Sequence, residues 1–486
     1  MFNYLFAKKH GGDFILRIED TDNQREVEGA TDYVLDSLEW IGIKPDEGFG
    51  VGGNFGSYKQ SERLDIYKKY ALELVENGFA YYAFDSADEL NSIREQNKTS
   101  KIPFIYNYLS RVNLKNSISL SADEVSSRLK NGDPYVIRFK MPRDYNVSFN
   151  DIIRGNVLFN TDKLDDKVLF KSDGYPSYHL ANVVDDHLME ISHVIRAEEW
   201  LPSTPLHILL YKAFGWDLPF FCHLPLVLGP DKQKLSKRHA SKYNFPIFPF
   251  DWDYLQNGVE SKALGFRDAG YESKALINYL VLLGWNPGND IEYMSLDEMV
   301  NLFDLERVNK SGAVFDINKL KSVNSHYVKN LNYYTAVYML GKYRNENNPM
   351  VDIKYGPEKT IKIVDMAKER AVFSKDLYSN VSFFFEPIFL ADDVLVKNSD
   401  EFSEVMDIFL LSVNDIDWSA DVIKYVLNNI CDEKGFKLGK ILPDLRLALT
   451  GGVSGPDLPN TMEVLGKNVT VERIISLLKT IKNNNQ

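Results

Sequence analysis

The sequence predicts an α/β fold up to about residue 324 and an all-helical fold from there to residue 486. Two patterns support this prediction. Short apolar runs that are typical of strands, at residues 14–18, 194–196 and 224–228, alternate with helical patterns in the first part. From Ser325 onward the apolar periodicity is almost wholly helical. A chain of 486 residues has room for about three domains.

Composition and charge limit the class of protein. The chain has 44% hydrophobic and 26% charged residues, as ordinary soluble globular proteins do. The net charge of −13 disfavours nonspecific binding to nucleic acid, so an RNA partner needs local basic patches. Cys222 and Cys431 lie far apart and have no His or Cys at ligand spacing, which predicts neither disulfides nor zinc. Because no run has transmembrane length and no signal-peptide pattern is present, we expect a cytoplasmic protein without a membrane partner.

An acidic cluster follows the first predicted strand. Thr21 and Gln24 match a capping box, which predicts a helix after the cluster. Asp20 is expected to serve the same helix end as a cap rather than to act in catalysis. Glu19 is different, because it emerges at the carboxyl end of the strand at residues 14–18.

The pattern becomes irregular between residues 78 and 165. Strand-like runs occur at residues 135–139 and 157–159, and tyrosines are frequent. Tyr81, Tyr82, Tyr106 and Tyr108 could stack on unpaired bases or form the core of a small mixed domain, and the sequence leaves both possibilities open.

A second cluster of polar residues lies between residues 171 and 205. Tyr178 and Asn182 fall on helical spacing, and Arg196 lies near the end of the strand at residues 194–196. The planar guanidinium of Arg196 could hold a carboxylate with two hydrogen bonds, or it could pair with the neighbouring Glu198 or Glu199.

Two further patterns in this region are expected to be structural. The run Asp185-Asp186-His187 contains metal-ligand types, but consecutive helix positions diverge around the axis, so we expect no metal there. Thr204 is placed to cap a helix that starts at Pro205 and ends at Gly215, with His207 as a packing or surface residue of that helix.

A basic loop, GPDKQKLSKR at residues 229–238, follows the apolar run at residues 224–228. Its lysines and Ser236 could bind a polyphosphate at a strand end, where open α/β sheets bind ligands. A solvated basic loop is the other interpretation.

Further along the chain, apolar stripes predict helices. One helix should end at Gly284, with Pro287 beyond it. Two later apolar faces are expected to be core, and they comprise Phe402, Val405, Met406, Phe409, Leu410 and Val413, and Val471, Ile474, Ile475 and Leu478.

Taken together, the motifs resemble those of the bacterial glutamyl-tRNA synthetases, a family of class I aminoacyl-tRNA synthetases. They occur in that family's order and are RIEDTD at 17–22, YKQSER at 58–63, SDGYPSYHLANVVDDHLM at 172–189, VIRAEEWLPSTP at 194–205, KLSKR at 234–238 and ERVNKSGAVFD at 306–316.

The resemblance implies a class I Rossmann-like α/β catalytic domain that is split by an acceptor-binding α+β insertion and followed by an all-α anticodon-binding region. The implied domains are residues 1–78 (first Rossmann half), 79–165 (insertion), 166–242 (second half with KLSKR), 243–324 (stem contact) and 325–486 (anticodon binding). Residue 1 aligns inside the helix that follows the family's HIGH motif, so the first strand and this motif are expected to be absent.

The resemblance also implies roles for single residues. Lys237 is expected to stabilise the reacting phosphates, with support from Lys234, and Ser236 and Trp200 join them in binding ATP. Glu19 is expected to bind the α-ammonium of glutamate and Arg196 its side-chain carboxylate, beside Tyr178 and Asn182. The expected tRNA contacts are Lys310, Lys319, Lys437 and Arg446.

The implied reaction is ATP-dependent attachment of L-glutamate to tRNA(Glu) by a monomer, with Mg²⁺ accompanying ATP. Some relatives carry a cysteine zinc knuckle where this chain has YYAFDS, so no zinc is expected. Two alternatives stay open. The first is a tRNA-binding protein without ligase activity, because the HIGH motif is not found, and the second is attachment of glutamine.

Overall fold

The computed structural model describes the chain except residues 23–28, 98–103, 237–241, 244, 257–258, 345–354, 389–398, 453 and 485–486. Two units are distinguished by their internal contacts. The first comprises Met1–Tyr243 and Ile277–Phe315, and the second comprises Asn244–Leu276 and Asp316–Gln486.

The helices and strands follow the predicted order of an α/β part and a helical part. The strands are β1 (Ile15–Leu16), β2 (Glu47–Gly48), β3 (Ala80–Ala83), β4 (Val136–Phe139), β5 (Asn146–Asp151), β6 (Gly155–Asn160), β7 (Val168–Phe170), β8 (His193–Ala197), β9 (Phe220–Leu224), β10 (Val227–Leu228), β11 (Trp252–Gln256), β12 (Val259–Ala263) and β13 (Ala313–Val314). The α-helices are α1 (Phe2–Lys9), α2 (Ala30–Trp40), α3 (Leu64–Glu76), α4 (Ala87–Gln96), α5 (Ala122–Asn131), α6 (Tyr178–Leu188), α7 (Thr204–Phe214), α8 (Ser273–Gly284), α9 (Leu296–Leu302), α10 (Ile317–Lys329), α11 (Tyr333–Arg344), α12 (Gly356–Glu369), α13 (Asp376–Ser379), α14 (Ser399–Ser412), α15 (Ala420–Lys434), α16 (Leu438–Thr450), α17 (Leu458–Leu465) and α18 (Lys467–Asn484).

A four-stranded sheet of the first unit positions several residues of the candidate active site. Its order is β6-β5-β9-β8, with β5, β9 and β8 parallel and β6 antiparallel to β5. The register pairs Arg196 of β8 with His223 of β9. Asp151, the last residue of β5, pairs with Phe221 of β9. The sheet therefore brings Asp151, His223 and Arg196 close together from distant parts of the chain.

In the irregular region, β3 and β4 pair with each other, and β4 pairs with the following β7, in an antiparallel sheet. Tyr81 and Tyr106 are buried, with 2% and 5% of their surfaces exposed. The Tyr81 hydroxyl donates to Asp166 over 2.6 Å. For these two tyrosines the core interpretation is therefore confirmed.

Two local predictions in the first unit are wrong. The run at residues 224–228 is not one strand, because Pro225 has no N–H to donate and the chain leaves β9 at Leu224 before forming β10. Thr204 does not cap α7 but is its first residue, after Ser203, and its side chain takes part in the site described below. The predicted end of α7 at Gly215, which has φ of 69°, is confirmed.

In the second unit the helices pack around one apolar core. The predicted face of α14 is confirmed, because Phe402, Val405, Met406 and Phe409 are fully buried. The predicted face of α18 is wrong at Ile475, which is 37% exposed. The buried apolar residues of α18 are Ile474, Leu477, Leu478 and Ile481, and their spacing of three, one and three follows the helical repeat more closely.

Other sequence predictions concern the chain as a whole. The helix predicted to close at Gly284 is α8. Cys222 and Cys431 are both free and buried. None of the helices in the described ranges combines the length and the apolar character that crossing a membrane requires. Gln24, the second residue of the predicted capping box, lies outside the described residues.

Candidate active site

A groove of about 590 Å³ lies in the first unit between residues of β1 and residues of β8. Its walls include Glu19, Tyr178, Asn182 and Arg196, so the structure brings together all four residues predicted to bind glutamate. Trp200 packs beside them, with its ring centroid 4.4 Å from that of Tyr178. Glu19 follows β1 and Arg196 lies near the carboxyl end of β8, as expected for a ligand site of an α/β fold.

Glu19 is oriented by Arg17, a residue that the sequence interpretation missed although it begins the RIEDTD motif. Arg17 Nη2 donates to Glu19 Oε1 over 3.0 Å, and its Nη1 donates to Asp186 Oδ1 over 2.9 Å. The Asn182 amide fits its surroundings when its oxygen accepts from Arg17 Nη2 at 3.0 Å and its nitrogen donates to Asp186 at 3.1 Å. The Glu19 side chain remains 38% exposed, so an ammonium group can reach it.

Three carboxylates keep Arg17 protonated, those of Glu19 and Asp186, which form an acidic wall of the groove, and that of Asp185 behind it. Burial alone would lower the pKa of Arg17, but Asp186, Glu19 and Asp185 raise it above its usual value. Of these three carboxylates, Asp185 is also paired with Arg63 and burial raises the pKa of Asp186, so the exposed Glu19 is the one that faces the groove as an ion. This is suitable for a substrate ammonium.

Behind this wall, Asp185 connects α6 to the YKQSER segment. Its carboxylate accepts from Arg63 Nε at 2.9 Å, from the Tyr67 hydroxyl at 2.7 Å and from Gln60 Nε2 at 2.9 Å. Asp20 also holds this segment, because it accepts from the Ser61 backbone at 2.8 Å. The helix end that Asp20 was predicted to cap lies among residues 23–28, outside the described residues.

The three residues of the Asp-Asp-His run point in different directions, as their consecutive helix positions predict. Asp185 faces Arg63, Asp186 faces Arg17, and His187 stacks on Trp216 with ring centroids 3.8 Å apart. Throughout the part of the chain that the structure describes, no three His, Cys, Asp or Glu side chains are placed to share a metal ion.

Arg196 has neutral hydrogen-bond partners on every nitrogen. Its Nε donates to His223 Nε2 at 3.1 Å, its Nη1 lies 3.3 Å from His207 Nδ1, and its Nη2 donates to Thr204 Oγ1 at 2.9 Å. The Tyr178 hydroxyl and the Trp200 carbonyl are longer contacts, both at 3.5 Å.

No carboxylate of the described residues forms an ion pair with Arg196. The two glutamates that could have paired with it have other partners, because Glu198 lies 2.6 Å from Arg154 and Glu199 pairs with Lys234. The positive charge of Arg196 is therefore available to a ligand carboxylate.

Of the buried histidines of this site, the sequence interpretation named His207, as a packing or surface residue, but it did not single out His179 or His223. His207 is 2% exposed, and its Nε2 lies 3.1 Å from His179 Nδ1. Burial, followed by the charges of Lys167 and Arg196, lowers the pKa of His179 to about 4. Burial and Arg196 likewise lower the pKa of His207 well below its usual value. Both rings are neutral near pH 7, so they add no positive charge beside Arg196.

The basic loop begins as a tight turn after β10. The Gly229 amide donates to the Gln233 carbonyl at 2.8 Å, and Lys232 has a left-handed φ of 61°. Lys234 is 54% exposed and pairs with Glu199, which is 41% exposed. Ser236 is exposed as well. Lys237, the predicted main catalytic residue, lies outside the described residues.

The four predicted tRNA contacts differ in accessibility. Three of them have exposed side chains. Lys310 lies on a loop, Lys319 on α10 and Lys437 just before α16. Arg446 is half-buried in α16 and donates to the Pro456 carbonyl, so it also supports the following loop.

Comparisons with known proteins extend the motif resemblance to the whole chain. The family "tRNA synthetases class I (E and Q), catalytic domain" matches residues 1–322, and "Anticodon binding domain" matches residues 335–478. The glutamate–tRNA ligase of Flavobacterium johnsoniae is 46% identical over 98% of this chain and 94% of its own length. That of Cytophaga hutchinsonii is 45% identical over 99% of this chain and 93% of its own length.

A solved structure agrees with these sequence matches. The crystal structure of a glutamate tRNA ligase from Elizabethkingia meningosepticum in complex with its amino acid matches with a TM-score of 0.90 and 44% identity, over 99% of this chain and 95% of that one. The predicted fold class, a class I α/β catalytic region followed by a helical anticodon-binding region, is confirmed. This chain belongs to the family of class I tRNA synthetases for glutamate and glutamine.

Proposed function

We propose that this chain is a glutamate–tRNA ligase that works in two steps at the groove between β1 and β8. In the first step, the α-carboxylate of glutamate attacks the α-phosphate of ATP and pyrophosphate leaves. In the second, the terminal adenosine hydroxyl of tRNA(Glu) attacks the carbonyl of the glutamyl-adenylate and AMP leaves. Relatives that are 44–46% identical over nearly the whole chain support this activity over a tRNA-binding protein without ligase activity.

The observation that carries the substrate assignment is the opposite charge at two points of one groove. Glu19 and Arg196 both line it. The Glu19 side chain is 38% exposed, and Arg196 has no acidic partner among the described residues. An amino acid with a second carboxylate satisfies both, because its ammonium binds Glu19 and its side chain binds Arg196. Glutamine would leave the charge of Arg196 unpaired, which disfavours the alternative substrate.

Arg196 can accept such a carboxylate without losing its close partners. The contacts of its Nη atoms to Tyr178 and to the Trp200 carbonyl are both 3.5 Å long and therefore weak. A carboxylate that replaces them gains two charge-assisted hydrogen bonds from the terminal nitrogens. Thr204 and His223 would stay in place.

ATP is assigned to the basic loop, with Lys234, Ser236 and Lys237 as phosphate partners and Trp200 near the adenosine. ATP arrives as its Mg²⁺ complex, so the ion is treated as part of the substrate. The ion pair of Lys234 with Glu199 is exposed on both sides, and such pairs contribute about 0–1 kcal/mol. Lys234 can therefore leave Glu199 for a phosphate at small cost.

The tRNA is assigned to exposed lysines outside the groove. Lys310 and Lys319 lie in the segment predicted to contact the stem, and Lys437 lies in the helical region. In a chain with a net charge of −13, these local positive charges are needed to bind a polyanion.

The test is ATP-dependent attachment of radiolabelled glutamate to tRNA, measured as acid-precipitable counts, with labelled glutamine as the competing amino acid. We expect labelling with glutamate only, and a strong decrease for Lys234→Ala. Lys68→Ala is the matched control, because Lys68 is an exposed lysine of α3. Preferential labelling with glutamine, or tRNA binding without any labelling, would contradict the proposal.

A further inference from the structure

A buried chain of hydrogen bonds runs from Asp151 through His223 to Arg196. His223 Nδ1 lies 2.6 Å from Asp151 Oδ2, and both side chains are fully buried. On the other side of the ring, His223 Nε2 accepts from Arg196 Nε at 3.1 Å and lies 3.2 Å from Thr204 Oγ1. The three strands that carry Asp151, His223 and Arg196 are adjacent in the sheet.

Asp151 determines which nitrogen of His223 carries the hydrogen. Its carboxylate also accepts from the backbone amides of Ile153, Arg154 and His223, at 2.9 to 3.1 Å. Burial by itself raises the pKa of Asp151, but the hydrogen bonds from His223 and Arg154 lower it below its usual value. The Asp151 carboxylate is thus a hydrogen-bond acceptor, and the hydrogen of the His223 ring must lie on Nδ1.

That tautomer leaves a lone pair on Nε2, directed at Arg196. The other tautomer, or a doubly protonated ring, would place an N–H against the Nε–H of the guanidinium. A parallel pairing between β8 and β9 brings these two residues side by side, so the contact is fixed by the sheet. The guanidinium plane of Arg196 is thereby fixed by a neutral, buried partner.

We infer that His223, oriented by Asp151, is a positioning residue that holds the guanidinium of Arg196 in the orientation needed to prefer a side-chain carboxylate over an amide. The inference rests on the proposed function, because it assigns Arg196 to the substrate side chain. It adds that the preference depends on a residue that does not touch the substrate. The neutral pair His207–His179 supports the same arrangement from the other side.

Two substitutions at one position separate positioning from stability. In His223→Asn, the amide can still donate to Asp151 from the Nδ1 position, but no atom remains at the Nε2 position to accept from Arg196. In His223→Gln, the longer side chain can place an acceptor near the Nε2 position. The measurement is the dissociation constant for glutamate and for glutamine by titration calorimetry, together with the thermal unfolding midpoint of each variant.

We expect His223→Asn to weaken glutamate binding by about tenfold, the effect of one hydrogen bond to a charged group. Glutamine binding should change little, so the preference for glutamate over glutamine should fall. His223→Gln should restore much of this preference. His187→Phe is the matched control, because His187 stacks on Trp216 away from Arg196. An unchanged preference in a folded His223→Asn variant would overturn the inference.

The tautomer can be measured without any variant. Nitrogen NMR of the ¹⁵N-histidine-labelled wild-type chain should show one histidine that carries hydrogen on Nδ1 and none on Nε2. The signals of this histidine should change when glutamate is added. Hydrogen on Nε2 of His223 would overturn the inference even if its variants failed to fold. A wild-type chain that binds tRNA but neither amino acid would overturn the proposed function itself, which is a distinguishable result.

Discussion

Arg63 Nε donates to Asp185 Oδ1 over 2.9 Å, with 4% and 0% of the two side chains exposed. Asp185 also accepts from Gln60 and from Tyr67, so it joins α6 to the YKQSER segment and to α3. Removing one partner of such a buried pair leaves an uncompensated charge, which costs about 3–5 kcal/mol.

We therefore expect Asp185→Ala to lower the free energy of unfolding by about 3–5 kcal/mol, measured by urea denaturation. Asp165→Ala is the control, because the pair between Asp165 and Lys167 is 37% and 46% exposed and should contribute less than about 1 kcal/mol. Equal effects of the two substitutions would show that Asp185 does not have this role.

Arg196→Gln should abolish most glutamate binding. Loss of the charge that faces the substrate carboxylate is expected to cost about 2–5 kcal/mol, or roughly 30-fold or more in the dissociation constant. Titration calorimetry with glutamate and glutamine checks this, and the loss should be much larger for glutamate. Arg128→Gln, at an exposed pair on α5, is the control. A similar affinity for glutamate in Arg196→Gln would refute the assignment of Arg196 to the side chain.

Glu19→Gln should affect a different part of the substrate. Glutarate has the same two carboxylates as glutamate but no α-ammonium, so it tests the contact with Glu19 directly. We expect Glu19→Gln to weaken glutamate binding by roughly 10- to 100-fold and to leave glutarate binding nearly unchanged. The exposed Glu76 on α3 provides the matched variant Glu76→Gln. Equal losses for both ligands would argue for a structural role of Glu19.

The buried histidines predict a loss of stability in acid. The pKa of His179 falls from 6.5 to about 4 in the folded chain, chiefly because of burial. Between these values the unfolded chain binds a proton that the folded chain does not, so stability falls as the pH falls below about 6.5. The slope is at most about 1.4 kcal/mol per pH unit for each such group.

Thermal unfolding midpoints between pH 7.5 and 4.5 test this expectation. His179→Gln should show a shallower decrease than the wild type, whereas His326→Gln, on α10 of the second unit, should follow the wild type. The expectation fails if the wild type and His179→Gln lose stability in parallel.

Lys437 and Arg446 should give different results when replaced. Lys437 is exposed, so Lys437→Ala should weaken tRNA binding modestly and reduce the slope of log affinity against log salt by about one. Arg446 donates to the Pro456 carbonyl, so Arg446→Ala should also lower the stability of the second unit. Lys434→Ala is the control, because Lys434 is paired with Glu404. Filter binding at several salt concentrations together with thermal denaturation distinguishes these outcomes.

The sequence predicted those parts of the fold that depend on local patterns. Gly215 ends α7 and Gly284 ends α8, and the apolar face of α14 is buried. Errors arose where a single residue changed the local geometry. Pro225 divides the apolar run after β9 because it cannot donate a hydrogen bond, and Ile475 lies one helical position away from the buried face of α18.

The site was predictable only for residues within recognisable motifs. Glu19, Tyr178, Asn182 and Arg196 meet at one groove, as the resemblance implied. The support of Arg196 by His223 and Asp151 could not be found in this way, because Asp151 and His223 are 72 positions apart and meet only through the order of strands in the sheet. A buried histidine has no local sequence signal that separates it from an exposed one.

The burial of both cysteines makes the native chain suitable for site-specific chemical labelling. Burial, with a contribution from Asp151, raises the pKa of the Cys222 thiol to about 12, and burial also raises the pKa of Cys431. Protonated, inaccessible thiols react slowly with maleimides, so a cysteine introduced on the surface would be modified selectively. A fluorophore could then be attached to either unit of the otherwise unaltered chain, and reaction of Cys222 itself would report opening of the sheet around it.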